Sequence, residues 1–307
     1  MRVKALKSLS AVLLLCPAML LAQGTIGNPG AEAAKRAESA TTATPAPKSS
    51  ARLSTYEMEQ VTVEGQRPSP YKDDELIGEY AQPRWTAQRL FSGTRTYVIP
   101  KGEVDVESWF RFEVPKGEGP TALTTQFEIE FGLPHRLQLD LYLVQKRDTG
   151  VADSQSTGNT AEIRYAFADW GKAWGNPAVY LEWVSQGGEP DKVEGKLLLG
   201  DQFAPGWHWG VNLSIEQQTA GGRSTERQFT AGISHTVIDR KLQVGLETRL
   251  GWTDELGSRG HYQRDLQLGP SIQFRPLTQM HIDFAPLFGF TNDSQKVNAY
   301  VIFGWEF

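Results

Sequence analysis

The chain has 307 residues, a formal net charge of −5 and a single cysteine, Cys16. This excludes a disulfide or cysteine-ligated metal in the predicted mature chain. The chain has no basic patch of the kind that nucleic acid needs, so no nucleic-acid partner is predicted. No cofactor is predicted either. The mean hydropathy of −0.40 is as low as that of a soluble protein. It still permits a membrane barrel, because only one face of each strand meets lipid.

The first 24 residues are organised as an export signal. Arg2, Lys4 and Lys7 form a positive region before the apolar run AVLLLCPAMLLA. The small residues that follow predict cleavage after Gly24, so the signal peptide covers residues 1–24.

Two segments of different composition follow the signal. Residues 25–55 are rich in Ala, Thr, Pro and Ser, which cannot bury a core and predicts a disordered periplasmic tether. Residues 56–95 have mixed periodicity, interrupted at Pro83. They are predicted to form a periplasmic segment, as a short helix, a cap or a partial plug.

Within that segment, Glu59–Gln66 has the sequence EQVTVEGQ. This run resembles the energy-coupling box of TonB-dependent receptors, which implies a contact with an energy-coupling protein. Those receptors have far larger barrels and a separate plug domain that this chain cannot accommodate. An extra strand or a turn is therefore the alternative interpretation.

From residue 96 onward, apolar and polar residues alternate in segments of about ten residues. Strands are predicted at 103–114, 123–131, 137–143, 161–167, 179–183, 193–199, 207–216, 228–234, 242–252, 265–274, 281–288 and 297–307. Tight turns such as LPHR alternate with longer polar loops such as RDTGVADSQSTGNT, which is typical of short periplasmic turns and long external loops. The pattern predicts an all-β fold, a closed antiparallel transmembrane β-barrel of twelve strands over residues 96–307.

The last strand ends on the alternating aromatic residues Phe303, Trp305 and Phe307. It resembles the terminal strand of bacterial outer-membrane barrels, whose closing Phe is recognised by the barrel assembly machinery. The resemblance implies a bacterial outer-membrane location, contact with outer-membrane lipid and an assembly signal in these three residues. The last strand of a soluble β-sandwich is the alternative.

The first predicted strand opens with TYVIPKGEVDVESWFRFE, Thr96–Glu113. This opening, a proline and a glycine before an acidic alternating strand, resembles a family of outer-membrane barrels described as MetA-pathway phenol-degradation or transporter-like proteins. The resemblance covers residues 95–307. It implies a channel for small, aromatic or hydrophobic solutes and supplies no catalytic residues.

If the apolar faces meet lipid, the charged faces line the lumen. The predicted acidic wall is Glu103, Asp105, Glu107, Glu128, Glu130 and Asp140, and the predicted lumenal bases are Arg111, Arg164, Arg227 and Arg249. Such a wall favours cations in an aqueous pore, so passive passage of small solutes with a cation preference is predicted. The rival is a non-transporting structural or surface-binding barrel, blocked by ion pairs and by the 70–95 segment.

Catalysis is not predicted, and an outer-membrane hydrolase is the least favoured alternative. Ser234 and His235 are adjacent, but neighbours on one strand point to opposite faces and cannot form a nucleophile–base pair. Asp254, Glu255 and His261 share one predicted external loop, where charges are usually solvated. The histidines are scattered without metal-ligand spacing, so no metal site is predicted.

Overall fold

The computed structural model describes residues 69–152 and 154–307. The predicted signal, the tether and the Glu59–Gln66 run lie outside the described residues. Twelve strands follow one another along the chain: β1 (Val104–Val114), β2 (Ala122–Leu133), β3 (Leu137–Asp148), β4 (Ser156–Ala166), β5 (Ala178–Gln186), β6 (Lys192–Ala204), β7 (Trp207–Gln218), β8 (Thr225–Ile238), β9 (Leu242–Asp254), β10 (Gln263–Leu277), β11 (Met280–Gly289) and β12 (Val297–Glu306).

The twelve strands close into a single antiparallel barrel. The last strand, β12, pairs with β1 from Val297–Val114 to Glu306–Asp105, so the sheet has no open edge. The prediction of a twelve-stranded closed barrel is confirmed. The first strand begins at Val104, and residues 96–102 belong to a segment that lies inside the barrel.

The two rims of the barrel differ in the length of their connections. At one rim, residues 134–136, 205–206, 239–241 and 278–279 make short turns. His135 and Arg136 both have left-handed φ angles, 63° and 60°, as in the type I′ turns that join twisted strands. Longer connections lie at the opposite rim, so the short-turn rim is the periplasmic one.

The outward face of the barrel is apolar. Leu143, Leu181 and Phe307 are 62%, 61% and 73% exposed, and similar side chains alternate outward along the strands. A continuous apolar belt of this extent marks a surface that meets lipid rather than water. Within the described parts of the chain, no helix is long and apolar enough to cross a membrane.

Residues 69–102, here called the insert, run inside the barrel before β1. They contain two short 3-10 turns, Lys72–Asp74 and Arg84–Ala87, and a two-residue pairing of Leu76–Ile77 with Gln82–Pro83. Trp85 is completely buried. The insert therefore fills part of the barrel interior.

The apolar core of the molecule lies between the insert and the inner wall. Tyr97 and Val98 pack against small wall residues such as Ala166 and Ala178. Trp170 contacts the insert edge-on, with its ring centroid 5.3 Å from those of both Trp85 and Tyr97. The 167–177 connection, which carries Trp170, is longer than the other turns at its rim, because it reaches under the insert.

Three wall glycines make room for the insert. Gly200, Gly210 and Gly232 are register partners on β6, β7 and β8. A Cβ atom at Gly232 would lie 2.4 Å from the ring of Phe91, and one at Gly200 would lie 2.9 Å from Thr96. The inner wall is therefore shaped to hold this segment of the chain.

Candidate functional site

The lumen is divided into two parts by the insert. Toward the long-loop rim it forms a cavity of about 460 Å³, here called the vestibule, with Arg89, Ser92, Gly93 and Arg95 of the insert as its floor. Below the floor, the insert and the lower wall enclose a void of about 20 Å³, room for about one water molecule. The described residues thus show the periplasmic half of the lumen closed.

A continuous row of carboxylates, here called the carboxylate line, crosses the inner wall. Its nine members are consecutive register partners on neighbouring strands: Glu306, Asp105, Glu130, Asp140, Glu162, Glu182, Glu194, Glu216 and Glu226. Register partners on one face are close neighbours, with Cβ atoms about 5 Å apart.

The carboxylate line climbs from one rim to the other. Barrel strands are tilted by roughly 35–45° to the barrel axis, so a row perpendicular to the strands rises as it passes around the wall. The line begins at Glu306, the last residue of β12 at the short-turn rim, and ends at Glu226, the second residue of β8 at the long-loop rim. It spans the whole lumen, including the part that the insert covers.

Most of the carboxylate line is paired with bases of the wall itself. Arg164 Nη2 lies 3.0 Å from Asp140 Oδ2 and 2.6 Å from Glu162 Oε1. At the two ends of the line, Arg275 lies 2.6 Å from Glu306 and Arg249 lies 2.8 Å from Glu226.

The insert supplies arginine partners for three almost fully buried carboxylates. Glu107, Glu128 and Glu130, here called the carboxylate triad, are only 1%, 0% and 2% exposed. Arg89 Nη2 lies 2.6 Å from Glu107 and 2.9 Å from Glu130. Arg95 Nη2 lies 2.7 Å from Glu128 and 2.6 Å from Glu130. The insert is therefore held by charge as well as by apolar packing.

The structure places the predicted acidic wall on β1, β2 and β3. Asp105, Glu130 and Asp140 belong to the carboxylate line, and Glu107 and Glu128 are register partners one step above it. Glu103 is half-buried and directly precedes β1.

Of the predicted bases, Arg164 pairs within the wall and Arg249 lines the vestibule, as does Arg111, which lies 3.3 Å from Glu113. The residues from β4 to β8 that extend the line were not among those predicted.

Arg227 does not belong to the lumen, which corrects the sequence prediction. Its neighbours on β8, Glu226 and Gln228, both line the vestibule. With a side-chain period of two, Arg227 must point outward, and its side chain is 48% exposed, 3.9 Å from Asp254. Near the long-loop rim, its long side chain can reach the interfacial region of a membrane.

Polar side chains of the wall bond the irregular backbone of the insert. Glu247 accepts hydrogen bonds from the Ser92 amide at 2.9 and 3.0 Å and from the Gly93 amide at 3.2 Å. Asn212 exchanges two bonds with the Arg95 backbone, at 2.8 and 2.6 Å. Buried amides and carbonyls need such partners, which explains the inward Asn and Glu residues at this level of the wall.

Asp74 fixes the beginning of the insert to the short-turn rim. Its carboxylate accepts hydrogen bonds from Gln202 at 2.7 Å and from the Gly206 amide at 3.2 Å, and it lies 3.3 Å from His208 Nε2. Burial raises the pKa of Asp74, but hydrogen bonds from His208, Ser69 and Gln202 outweigh this and hold the pKa below its ordinary value.

His208, which contacts Asp74, also contacts a serine, so the three side chains are arranged as Asp, His and Ser are in a hydrolase triad. Ser234 Oγ lies 3.4 Å from His208 Nδ1, so Ser234 meets this histidine rather than His235. His208 is completely buried, and the Trp85 ring lies 4.5 Å from it, centroid to centroid. A nucleophile needs space for its substrate, whereas this group is covered by the insert and acts as a tie between insert and wall.

The predicted assembly signal lies on the outward face of the barrel, and Asp254 of the long-loop rim is buried. Phe303 and Trp305, in the predicted assembly signal, are 39% and 41% exposed on the outward face beside Phe307. Asp254 is buried against Arg259, so its charge is already compensated.

No family model matches the chain, and no curated protein matches it. Among solved structures, it is similar to an outer membrane channel from Pseudomonas putida F1 (9% identity, TM-score 0.51), over 71% of this chain and 100% of that chain. It is also similar to the NanC porin (12% identity, TM-score 0.46), over 66% of this chain and 97% of that chain. The translocator domain of the autotransporter NalP from Neisseria meningitidis is matched over 67% of this chain and 88% of that chain (12% identity, TM-score 0.44).

The fold is that of bacterial outer-membrane β-barrels. Together with the apolar outward face, it confirms the predicted location in the outer membrane. The architecture is channel-like, as predicted, whereas the narrower resemblance to phenol-degradation barrels is not confirmed.

Proposed function

We propose that this protein is an outer-membrane channel for small cations, closed in the described conformation by its own insert. The observation that carries the proposal is the carboxylate line, which runs from Glu306 at one rim to Glu226 at the other. A row of carboxylates in a narrow lumen concentrates cations and repels anions. Because the line extends from one rim to the other, it is better suited to a cation that crosses the whole lumen than to one bound at a single place.

The insert is suited to be a gate because the wall does not depend on it for strand pairing. Every strand bonds two other wall strands, so removing the insert breaks no part of the barrel ladder. The interior of twelve strands is wider than that of an eight-stranded barrel, which side chains alone can fill. Withdrawal of the insert would therefore leave a water-filled passage.

The rival function is a non-transporting barrel that binds a ligand or a surface. The close packing of the insert, with Trp85 completely buried, favours it. In that case the vestibule would be a binding site and the insert its permanent floor.

If solutes are aromatic, as the resemblance to phenol-degradation barrels implies, Trp109, Tyr180 and Tyr300 in the vestibule lining are placed to contact them.

A reversible lock on the insert separates the two functions. The Thr94 and Thr230 hydroxyl oxygens are 3.0 Å apart, one on the insert and one on β8, so the pair Thr94→Cys and Thr230→Cys places two thiols within disulfide range. In planar bilayers we expect the oxidised protein to stay closed. We expect reduction to restore openings, with an open probability at least about tenfold higher, since even about 1.4 kcal/mol changes an equilibrium by that factor.

The controls for the lock are the two single-cysteine variants, which must not respond to oxidant or reductant. If the reduced protein and both single variants never conduct, the non-transporting function is favoured. If the oxidised protein conducts as well as the reduced one, the insert is not the gate.

Selectivity tests the cation preference independently of the insert. Glu182, Glu194 and Glu216 are members of the line that lie in the vestibule. Replacing all three with Gln leaves Lys192 and Lys196 without their carboxylate partners. We expect the reversal potential in a salt gradient to move from cation-selective toward zero or beyond.

The matched control is Glu118→Gln, which removes an exposed carboxylate from an external loop and should leave selectivity unchanged. Anion selectivity of the unmodified protein would exclude the carboxylate line as the filter. Unchanged selectivity in the triple variant would do the same.

A further inference from the structure

The carboxylate triad has the donor geometry of a cation site. Ligand oxygens of Glu107, Glu128 and Glu130 all lie within 4.8 Å of one another, on side chains that are buried. Calcium binds carboxylate oxygens at about 2.3–2.6 Å, so two oxygens on opposite sides of one ion are about 5 Å apart. The spread of the triad therefore matches a single calcium-sized ion without movement of the wall.

The triad already holds positive charge, supplied by the chain itself. The guanidinium groups of Arg89 and Arg95 each contact two or more of its carboxylates within 3.5 Å. Both arginines belong to the insert, while on the wall His281 Nε2 of β11 also lies 3.4 Å from Glu107. The insert therefore supplies the guanidinium groups that an incoming cation would have to displace. Two guanidinium groups carry the same charge as one divalent cation, so exchanging them leaves the charge of the site unchanged.

Asp105 gives an independent indication of a missing ligand. It is 6% exposed, and its Oδ1 atom has no hydrogen-bond partner in the described part of the chain. It lines the void of about 20 Å³ together with Glu107 and Glu130, and it is the register partner of Glu130. Buried carboxylate oxygens are normally satisfied, so this oxygen is free to bind an ion at the lower edge of the triad.

We propose that the carboxylate triad and Asp105 form a divalent-cation site, in competition with the arginines of the insert. A calcium-like ion that binds there removes the partners of Arg89 and Arg95 and so releases the insert. The inference rests on the proposed function, because it names the signal that opens the same channel. Glu128, Arg89 and Arg95 all line the vestibule, so the ion reaches the site from the long-loop side.

The donor set selects among cations. Carboxylates are hard oxygen ligands, which calcium accepts in flexible geometry at six to eight positions. Magnesium requires shorter bonds in a near-octahedral arrangement and keeps most of its water, which a buried site already filled by side chains cannot provide. Calcium should therefore act at lower concentration than magnesium, on the order of 1 mM, as in extracellular calcium modules.

The test uses the protein without its predicted signal peptide, which contains Cys16. The protein in detergent is first treated with a chelator and then titrated with calcium chloride. Calcium binding is measured by calorimetry, and release of the insert by the rate at which a single cysteine, Thr94→Cys, reacts with a thiol reagent. We expect the labelling rate to rise at least about tenfold in calcium. Magnesium and potassium at matched ionic strength control for simple screening of the ion pairs.

Two variants test whether calcium binds at the carboxylate triad rather than elsewhere on the protein. Glu107→Gln removes one ligand and should abolish calorimetric binding, whereas Glu118→Gln removes an exposed carboxylate and should leave it intact. In the oxidised Thr94→Cys, Thr230→Cys protein the arginines cannot leave, so calcium should bind at least about tenfold more weakly.

An equal response to potassium, or undiminished calcium binding in the locked protein, would overturn the site. If the reduced protein conducts but calcium neither binds nor increases conductance, this inference fails and the proposed channel stands. If no form conducts while calcium still binds and releases the insert, the proposed channel fails and the site stands.

Discussion

The Gly232→Ala protein is expected to conduct without any signal, because the new methyl group occupies the place of the Phe91 ring. A Cβ atom at this position would lie 2.4–2.8 Å from three ring carbons, well inside van der Waals contact. Gly232 lies within β8, where alanine is compatible with extended backbone. The strain therefore falls on the insert and not on the wall.

The expected increase in open probability follows from the burial free energy that the Phe91 ring loses. Phe91 is 1% exposed in the described conformation, and burying such a side chain contributes roughly 2 kcal/mol. Losing about 2 kcal/mol raises the ratio of released to seated insert by a factor of about thirty. We expect the open probability in planar bilayers to rise by that order, and Gly232→Val to act more strongly.

Gly251→Ala is the matched control for this prediction. It lies on β9, where a Cβ atom would have no neighbour nearer than 3.5 Å. The methyl group is accommodated there, so conductance should match that of the unmodified protein. Equal conductance of the Gly232 and Gly251 variants would show that the Phe91 seat does not hold the gate closed.

The barrel could be predicted because its signals are local. Alternation along each strand fixes which face meets lipid, and the lengths of turns and loops fix the even strand number. The same alternation also determines on which face of the barrel Arg227 lies. It has the parity of Phe229, so alternation alone places it on the outward face.

Beyond the members that belong to the predicted acidic wall, the carboxylate line could not be predicted, because it depends on register between strands. Glu182, Glu194 and Glu216 are distant in sequence, and nothing local shows that they become neighbours. A shift of one residue in any turn would move a strand's carboxylate to the other face. Register is set by turn geometry and by packing against the insert, which are both tertiary features.

A partial plug was one of the forms predicted for this segment, but its contacts with the wall could not be predicted, for a related reason. Its residues follow neither a helical nor a strand period, so no pattern indicates what they pack against. The predicted lumenal bases were wall residues such as Arg227 and Arg249, whereas Arg89 and Arg95 of the insert contact the carboxylate triad. The inward glycines Gly200, Gly210 and Gly232 were the available signal.

Arg89→Gln is expected to release the insert, because it leaves the buried Glu107 carboxylate without its arginine partner. The Arg89 side chain is 3% exposed and reaches all three members of the triad. Its guanidinium group also lies 4.1 Å from the centroid of the Trp109 ring. Removing one partner of a buried ion pair costs about 3–5 kcal/mol, which should be visible as constitutive conductance and faster labelling of a cysteine at position 94.

A second substitution separates charge from packing. In the Arg89→Gln, Glu107→Gln protein one buried charge is removed with its partner, and the two amides can bond each other. We expect labelling and conductance to return most of the way to those of the unmodified protein, because replacing a whole buried pair by neutral groups is often nearly neutral in stability. Glu107→Gln alone should fall between them, since Arg89 keeps Glu130 as a partner.

The control is Arg136→Gln at the short-turn rim, where Arg136 and Asp169 lie 2.9 Å apart with side chains 31% and 44% exposed. Solvent-exposed pairs contribute little because water and salt screen them, so the insert should stay seated. If Arg89→Gln behaves like Arg136→Gln, the Arg89 ion pairs do not hold the insert in place. If the double variant stays as open as the single one, the arginine acts by its shape against Trp109 and not by its charge.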